Sequence, residues 1–403
     1  MLVKIEKSEM IGKAEFPSSK SFSHRLIIAA ALADGVSIIK NVSKCDDVMA
    51  TISSLSALGA KFSFEGDSLT VIGIDIKKAF ATEELYVNES GSTLRFLIPI
   101  AWLTGKEITL RGAQRLFERP LGIYADIAKE HDFKFELERS SLTVCGKLKS
   151  GTYRLPGNIS SQFITGLMFA LPLIEENSKI IIEPPFESRP YIDMTIDALA
   201  SFGVQVKFED ENTIAIEGNQ RYYPANTTVE GDWSGGAFLL ALKMLHEGID
   251  VCGFNDQSLQ GDRVCEEYFN KIKEGDPTLD ITDCPDLGPI LFAMAAYFNG
   301  ATFTGTKRLK IKESDRASAM KTELEKLGTR VDISDDTVRV YGGVNKPTEC
   351  IFGHNDHRIV MAMATLLSKL GGSINGAEAI KKSYPEFFEV IKKLNAKLEI
   401  QDT

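Results

Sequence analysis

At 403 residues the chain exceeds the size of one ordinary core, and 43% hydrophobic with 25% charged residues describes a globular protein, so two domains are expected. Apolar runs such as 26–33 and 96–103 fall far short of the about 20 residues of a membrane helix, and no signal-peptide pattern opens the chain, which predicts a cytoplasmic protein with no membrane partner. A net charge of −10 disfavours a nucleic-acid groove, and six dispersed cysteines without a CxxC pair argue against a disulfide scaffold or structural zinc.

The first element is a short strand, 2–6, and after it the chain repeats one unit of roughly 70 residues, detectable as internal similarity. Each copy opens with a polar cap and a short helix that is apolar on all sides. The openings are Ser21-Phe-Ser-His-Arg25 before 26–32, Ser90-Gly-Ser-Thr-Leu-Arg95 before 96–103, and Ser160-Ser-Gln162 before 163–174. They continue with Asp232-Trp-Ser-Gly-Gly236 before 237–245, Pro285-Asp-Leu-Gly288 before 289–298, and Asp356-His-Arg358 before 359–370. A strand follows each, then an amphipathic helix: 46–58, 121–130, 191–202, 263–273, 317–327 and 386–394. Gly59, Gly203 and Gly328 mark helix stops, and alternating hairpins follow at 61–72, 133–144, 204–216 and 330–340. Ser314 is the expected N-cap of helix 317–327.

A helix apolar all round has to be enclosed by protein, whereas an amphipathic helix can cover an outer face. The pattern predicts an α/β chain of two domains, each of three βαβαββ units with buried parallel helices enclosed by sheets. The domains are expected at 19–228 and at 1–18 plus 229–403, the second completed by the N-terminal strand. Two crossings between them, near 12–18 and 224–232, would make a hinge.

The unusual polar residues collect at the N-termini of the buried helices, where free N–H groups and the helix dipole attract anions. Lys20, Arg25, Arg95, Arg115, Lys312, Arg316, Arg358 and Lys382 stand beside helix starts or Gly and Pro turns. Arg forks grip carboxylate or phosphate, and Lys supplies a point charge or a proton. The chain has no GxGxxG, no Walker A sequence and no GxSxG elbow. His354 and His357 lack a nameable third metal ligand, so no metal is expected. These residues suit a small polyanionic substrate and proton transfer.

In order, Ser19-Lys-Ser-Phe-Ser-His-Arg25, Glu89-Ser-Gly-Ser-Thr-Leu-Arg95, Arg115-Leu-Phe-Glu-Arg-Pro120 and Ser160-Ser-Gln-Phe163 resemble motifs of the 5-enolpyruvylshikimate-3-phosphate synthases. So do Ser188-Arg-Pro-Tyr-Ile-Asp193, Pro285-Asp286, Lys312-Glu-Ser-Asp-Arg316, Asn355-Asp-His-Arg358 and Lys382-Ser-Tyr-Pro-Glu-Phe387, so the resemblance covers essentially the whole chain. It implies transfer of the enolpyruvyl group of phosphoenolpyruvate to the 5-hydroxyl of shikimate 3-phosphate, a step of aromatic amino-acid biosynthesis, without metal or organic cofactor. A monomer acting on small molecules is the expected state.

Carried over by position, Lys20, Ser21, Arg25, Ser160, Ser161, Gln162, Ser188, Tyr191, Asp286 and Lys312 would bind shikimate 3-phosphate. Lys20, Gly91, Arg115, Gln162, Arg316, Arg358 and Lys382 would bind phosphoenolpyruvate. Asp286 is the expected base, Glu313 the proton donor, and Lys20 and Lys382 act on the departing phosphate. Arg95 reads as structural, Arg119 stays unassigned, and Asp315 reads as a first-turn dipole partner. A rival reading is the sister transferase acting on UDP-N-acetylglucosamine, but 112–120 lacks the Cys that family usually carries there. A non-catalytic anion-binding protein of the same fold is the other alternative.

Overall fold

A computed structural model describes residues 1–76 and 83–401. The chain divides into two compact units, Ser18–Glu230 and Met1–Pro17 with Gly231–Thr403. The divisions fall after Pro17 and after Glu230, where the sequence pattern placed them after Ser18 and Thr228.

Two strands of the second unit come first in the chain, β1 (Leu2–Ile5) and β2 (Ile11–Glu15). The unit Ser18–Glu230 then begins with α1 (Lys20–Leu32), β3 (Val36–Lys40), α2 (Asp46–Ala57) and the hairpin β4 (Lys61–Glu65) and β5 (Ser68–Ile72). Next come β6 (Glu84–Asn88), α3 (Gly91–Thr104), β7 (Ile108–Gly112), α4 (Gln114–Glu118), α5 (Gly122–His131), β8 (Lys134–Leu137) and β9 (Ser141–Cys145). The unit closes with β10 (Thr152–Pro156), α6 (Ser161–Ala170), β11 (Ser178–Glu183), α7 (Arg189–Ser201), β12 (Val206–Phe208), β13 (Thr213–Ile216) and β14 (Asn226–Thr228).

Its sheets have the orders β10-β11-β13-β12, β6-β7-β9-β8 and β14-β3-β5-β4. In the first two, a parallel pair brackets a buried helix, and in all three an antiparallel hairpin completes the sheet; β10 runs parallel to β11, which pairs antiparallel with β13. The last of these sheets is closed by β14 from the far end of the unit, pairing parallel with β3. Helices α1, α3 and α6 are buried almost throughout and form one core with the inner faces of these strands.

The second unit resumes with α8 (Trp233–Leu245), β15 (Gly248–Cys252), α9 (Cys265–Glu274), β16 (Thr278–Asp280), α10 (Gly288–Tyr297), β17 (Gly300–Thr304) and α11 (Arg316–Glu325). Then follow β18 (Val331–Ile333), β19 (Thr337–Tyr341), β20 (Ile351–Phe352), α12 (His357–Leu370), β21 (Gly372–Asn375), α13 (Phe387–Lys393) and β22 (Leu398–Gln401). The orders are β16-β17-β19-β18, β20-β21-β1-β22 and the two-stranded β15-β2. β1 is inserted between β21 and β22, antiparallel to both, so the chain's first strand supplies the hairpin partner that its last repeat lacks. The repeat built on α8 departs from the six-copy reading, since β2 and β15 form its whole sheet and no hairpin follows α9. Helices α8, α10 and α12 are enclosed in the core of this unit.

The helix caps set where the polar residues stand. Ser19, Ser90, Ser160, Asp232 and Asp356 each accept a backbone N–H in the first turn of a buried helix, meeting one donor that the helix itself cannot satisfy. Ser21 and Arg25 therefore lie inside the first turns of α1 and not ahead of it. Ser314 is not the cap of α11: Asp315 is, accepting from the Ser318 N–H at 3.2 Å. Ser314 instead donates its hydroxyl to Asp356 Oδ2 at 3.0 Å.

Candidate active site

In the unit Ser18–Glu230, Lys20 opens α1 and its ammonium lies 3.0 Å from Asp47 in the first turn of α2. Arg25 is buried, and its guanidinium donates to the Ser21 carbonyl, the Tyr191 carbonyl and the Thr195 hydroxyl at 2.9–3.0 Å. It ties α1 to α7, and burial pushes its pKa down to about 10. The Tyr191 ring lies against the same guanidinium, 5.9 Å from its centroid. Ser188, just before α7, takes the left-handed conformation with φ 58° and is buried. Ser160 caps α6 and Ser161 is its first residue, so the expected serines stand at one helix N-terminus.

A second cluster in this unit joins α3, α4 and α6. Arg95 donates to Gln162 Oε1 at 2.7 Å and to the Pro120 carbonyl at 3.0 Å, and Gln162 donates in turn to Ser92 Oγ at 3.0 Å. Arg95 thus fixes the side chain of an expected substrate residue. Gly91 belongs to this cluster for a steric reason: a Cβ there would stand 2.8 Å from Arg119 Nη1 and 3.0 Å from Arg95 Nη1. A side chain there would push these guanidinium ends back. Arg119 Nε is buried with no hydrogen-bond partner among the described residues, a condition that a bound anion would relieve. Arg115, the expected phosphoenolpyruvate ligand, lies on the exposed side of α4, 3.3 Å from Glu118. One turn of helix separates the two arginines, and motif matching alone chose the outer one.

In the other unit a buried guanidinium organises the acidic groups. Arg316, 1% exposed, donates from Nη1 to Asp286 Oδ1 at 2.7 Å, from Nη2 to Glu313 Oε2 at 2.7 Å and from Nε to Asp356 Oδ2 at 2.9 Å. Burial alone would lower its pKa, but Asp356, Glu313 and Asp286 outweigh that and hold it above its ordinary value. Asp286 also receives Lys312 at 3.2 Å and Arg358 Nη2 at 3.2 Å, while Arg358 Nη1 donates to the Asp286 carbonyl. Burial lowers the Lys312 pKa in spite of Asp286. Asp356 both caps α12 and accepts from Arg316, so it locks the starts of α11 and α12 together. Lys382 donates to the Asn355 carbonyl at 2.7 Å.

Arg316 is therefore first a brace for three carboxylates, and it reaches an incoming anion only where one of them yields a nitrogen. His354 Nε2 lies 2.7 Å from the buried Glu323, and His357 is buried in the first turn of α12. Among the described residues no group of three or more His, Cys, Asp or Glu side chains is placed to hold a metal ion. Asp47 was missed in the sequence, although Cys45-Asp-Asp47 carried it at a helix start, and Asp356 was read as a helix opening without its bond to Arg316.

Comparison with known proteins decides the lineage. The family model of EPSP synthase (3-phosphoshikimate 1-carboxyvinyltransferase) matches residues 5–391. The chain belongs to the EPSP synthase family. Among its relatives, the 3-phosphoshikimate 1-carboxyvinyltransferase of Clostridium kluyveri is 41% identical, with 98% of each chain covered. That of Clostridium acetobutylicum is 39% identical over 97% of each. In fold, the chain superposes on EPSP synthase from Acinetobacter baumannii with a TM-score of 0.81 at 22% identity, all of both chains being covered. It also superposes on the enolpyruvyl transferase NikO from Streptomyces tendae with a TM-score of 0.76 at 14% identity, over 99% and 98% of the chains. The two-domain α/β arrangement read from the repeats, and the enolpyruvyl transferase fold implied by the resemblance, agree with these structures.

Proposed function

We propose that the chain transfers the enolpyruvyl group of phosphoenolpyruvate to the 5-hydroxyl of shikimate 3-phosphate, releasing phosphate. Membership of the family and the names of its relatives support this activity. The observation that carries the residue roles is the anchoring of Asp286 and Glu313 to one planar guanidinium, each 2.7 Å from Arg316. Two carboxyl groups held at fixed spacing suit a reaction in which one proton leaves a hydroxyl and another joins a vinyl carbon.

Asp286 takes the proton of the 5-hydroxyl as its oxygen bonds to C2 of phosphoenolpyruvate, and Glu313 delivers a proton to C3, giving a tetrahedral adduct. In its collapse the C2–O bond to phosphate breaks, the phosphate leaves with the proton that the 5-hydroxyl gave up to Asp286, C3 returns a proton to Glu313, and the vinyl group is restored. Lys20, Arg119, Arg358 and Lys382 offset the charge of the phosphate and carboxylate, with Arg119 replacing Arg115 in that set. Gly91 makes room for Arg119, and Gln162, held by Arg95, stands beside them. Ser160, Ser161 and Ser188, with Lys20, Ser21, Arg25, Tyr191 and Lys312, bind shikimate 3-phosphate. Arg25 does so with a guanidinium already pinned by three internal acceptors.

The test is phosphate release from phosphoenolpyruvate with shikimate 3-phosphate, beside UDP-N-acetylglucosamine and a control without acceptor. Release only with shikimate 3-phosphate is expected. Release only with the nucleotide sugar would overturn the substrate, and binding of both ligands without release would leave a binding protein.

A further inference from the structure

The same unit buries another carboxyl that the mechanism does not use, on a turn that packs against α8, as does the turn Pro285–Leu287 that carries Asp286. Asp262 lies on the 3-10 turn Gly261–Val264 between β15 and α9, is 4% exposed, and its Oδ1 has no hydrogen-bond partner among the described residues. The turn is fastened in place. Gln260, just before it, donates to the Gly231 carbonyl at 2.8 Å and accepts the Trp233 N–H at 3.0 Å, which pins it to the start of α8.

The groups facing Asp262 come from each neighbouring element: Asp232 and Ser234 at the start of α8, Cys265 on α9, Cys284 and Asp286 on the segment before α10, and Arg358 on α12. The Ser234 hydroxyl stands beside it without ordinary hydrogen-bond geometry. Burial first, and the negative charge of Asp286 second, push the Asp262 pKa up to about 7, with Arg358 pulling the other way. Such a carboxyl is ill explained as structure, since a buried, half-satisfied acid is destabilising and an amide would fill the same space.

Asp286 accepts from Lys312, Arg316 and Arg358. So many cations stabilise its ionised form and make it reluctant to take a proton, which is the opposite of what a base requires. A negative group near it corrects this. We propose that Asp262 is a positioning residue for the reaction's base: its buried charge opposes Lys312, Arg316 and Arg358 and keeps Asp286 able to accept the hydroxyl proton. The proposal rests on the reading of Asp286 as base. Because Asp262 itself gains a proton as the pH falls toward neutrality, this support is withdrawn on acidification, and turnover falls with it.

The test compares Asp262→Asn and Asp262→Glu with the wild type in two measurements. In the first, phosphate release with shikimate 3-phosphate and phosphoenolpyruvate is followed from pH 5.5 to 9. Asp262→Asn should lose about tenfold in kcat above pH 7 and lack the wild type's fall near neutrality, with shikimate 3-phosphate affinity within about twofold and partial recovery in Asp262→Glu. A profile parallel to the wild type's, merely lower, would mark a structural role and overturn the proposal. In the second, the Asp286 carboxyl is titrated by carbon NMR in protein labelled at aspartate, with Asp286→Asn to assign it. Its midpoint should fall in Asp262→Asn. An unchanged midpoint sinks the coupling whether or not the wild type turns over, whereas a fallen midpoint in a protein without turnover would refute only the activity.

Discussion

Arg316 commits its three guanidinium nitrogens to Asp356, Asp286 and Glu313, and at this scale a group's role follows from its neighbours more than from its type. The two arginines of Arg115-Leu-Phe-Glu-Arg119 show the same. Arg115 is an exposed partner of Glu118, worth little in water, whereas Arg119 crowds the bare Cα of Gly91. Arg119→Ala should raise the KM for phosphoenolpyruvate at least ~10-fold, as loss of a charge-assisted contact does, while Arg115→Ala stays within about twofold. Steady-state kinetics at varied phosphoenolpyruvate checks this, and equal effects would return the role to Arg115.

Asp262 also makes a prediction about stability. Its pKa rises from 3.8 to about 7 on folding, so between those values the folded chain holds the extra proton. Stability then declines as the pH rises through that window, by on the order of 4 kcal/mol once both forms are ionised. Asp262→Asn should therefore melt above the wild type at pH 8, and the gap should close by pH 4.

At the level of elements, most of the candidate residues stand near helix starts, Arg119 and Lys382 being exceptions at helix ends. Five side-chain caps hold the starts of α1, α3, α6, α8 and α12, and a capped start fixes the direction in which its first side chains project. Asp356 does so twice over, since it caps α12 and draws α11 to it through Arg316 and Ser314. Asp315 is the simpler case, an ordinary cap on α11 whose carboxylate accepts from Ser318. Asp315→Ala should lower stability by about 1 kcal/mol in a denaturant titration while leaving kcat within a few-fold. A much larger loss of kcat would mean that the start of α11 depends on this cap to aim Arg316. The serine before it was the natural choice from sequence, because Ser and Asp are both good caps; a tertiary acceptor, Asp356, took the serine hydroxyl instead.

Over the whole molecule each unit carries its own core and a histidine buried in it. His24 on α1 is fully buried, its Nδ1 2.8 Å from the Thr51 hydroxyl, and burial first, then Lys20 and Arg25, hold its pKa well below the usual range. His246, after α8, accepts the Met10 N–H at Nδ1 and donates from Nε2 to Ser368. Burial lowers its pKa as well. Both rings stay neutral in the folded chain while the unfolded chain binds protons below about pH 6.5, so stability is lost as the pH falls through that value. In the unit holding His246, Asp262 works in the opposite direction. Acidification from pH 7 to 5.5 should therefore weaken hydrogen-exchange protection more in α1 and α3 than in α8 and α12. His24→Gln should remove most of that difference, and its persistence in the variant would assign the pH dependence to other groups.

The sequence by itself determined the repeat and the kind of substrate. Apolar helices of fixed length, each opened by a polar cap and followed by alternating strands, admit few arrangements other than helices enclosed by sheets, and local periodicity is enough to see them. Clustered cations at those caps pointed to an anion site for the same local reason. What the tertiary structure decided were matters of closure and neighbourhood. β1 fills the place between β21 and β22, and β14 joins β3, by pairings across hundreds of residues that no window of sequence contains. The approach of Arg119 to Gly91, Asp315 as cap in place of Ser314, and the burial of Asp262 likewise depend on packing between separate segments, because burial and charge coupling are set by whichever groups share the space.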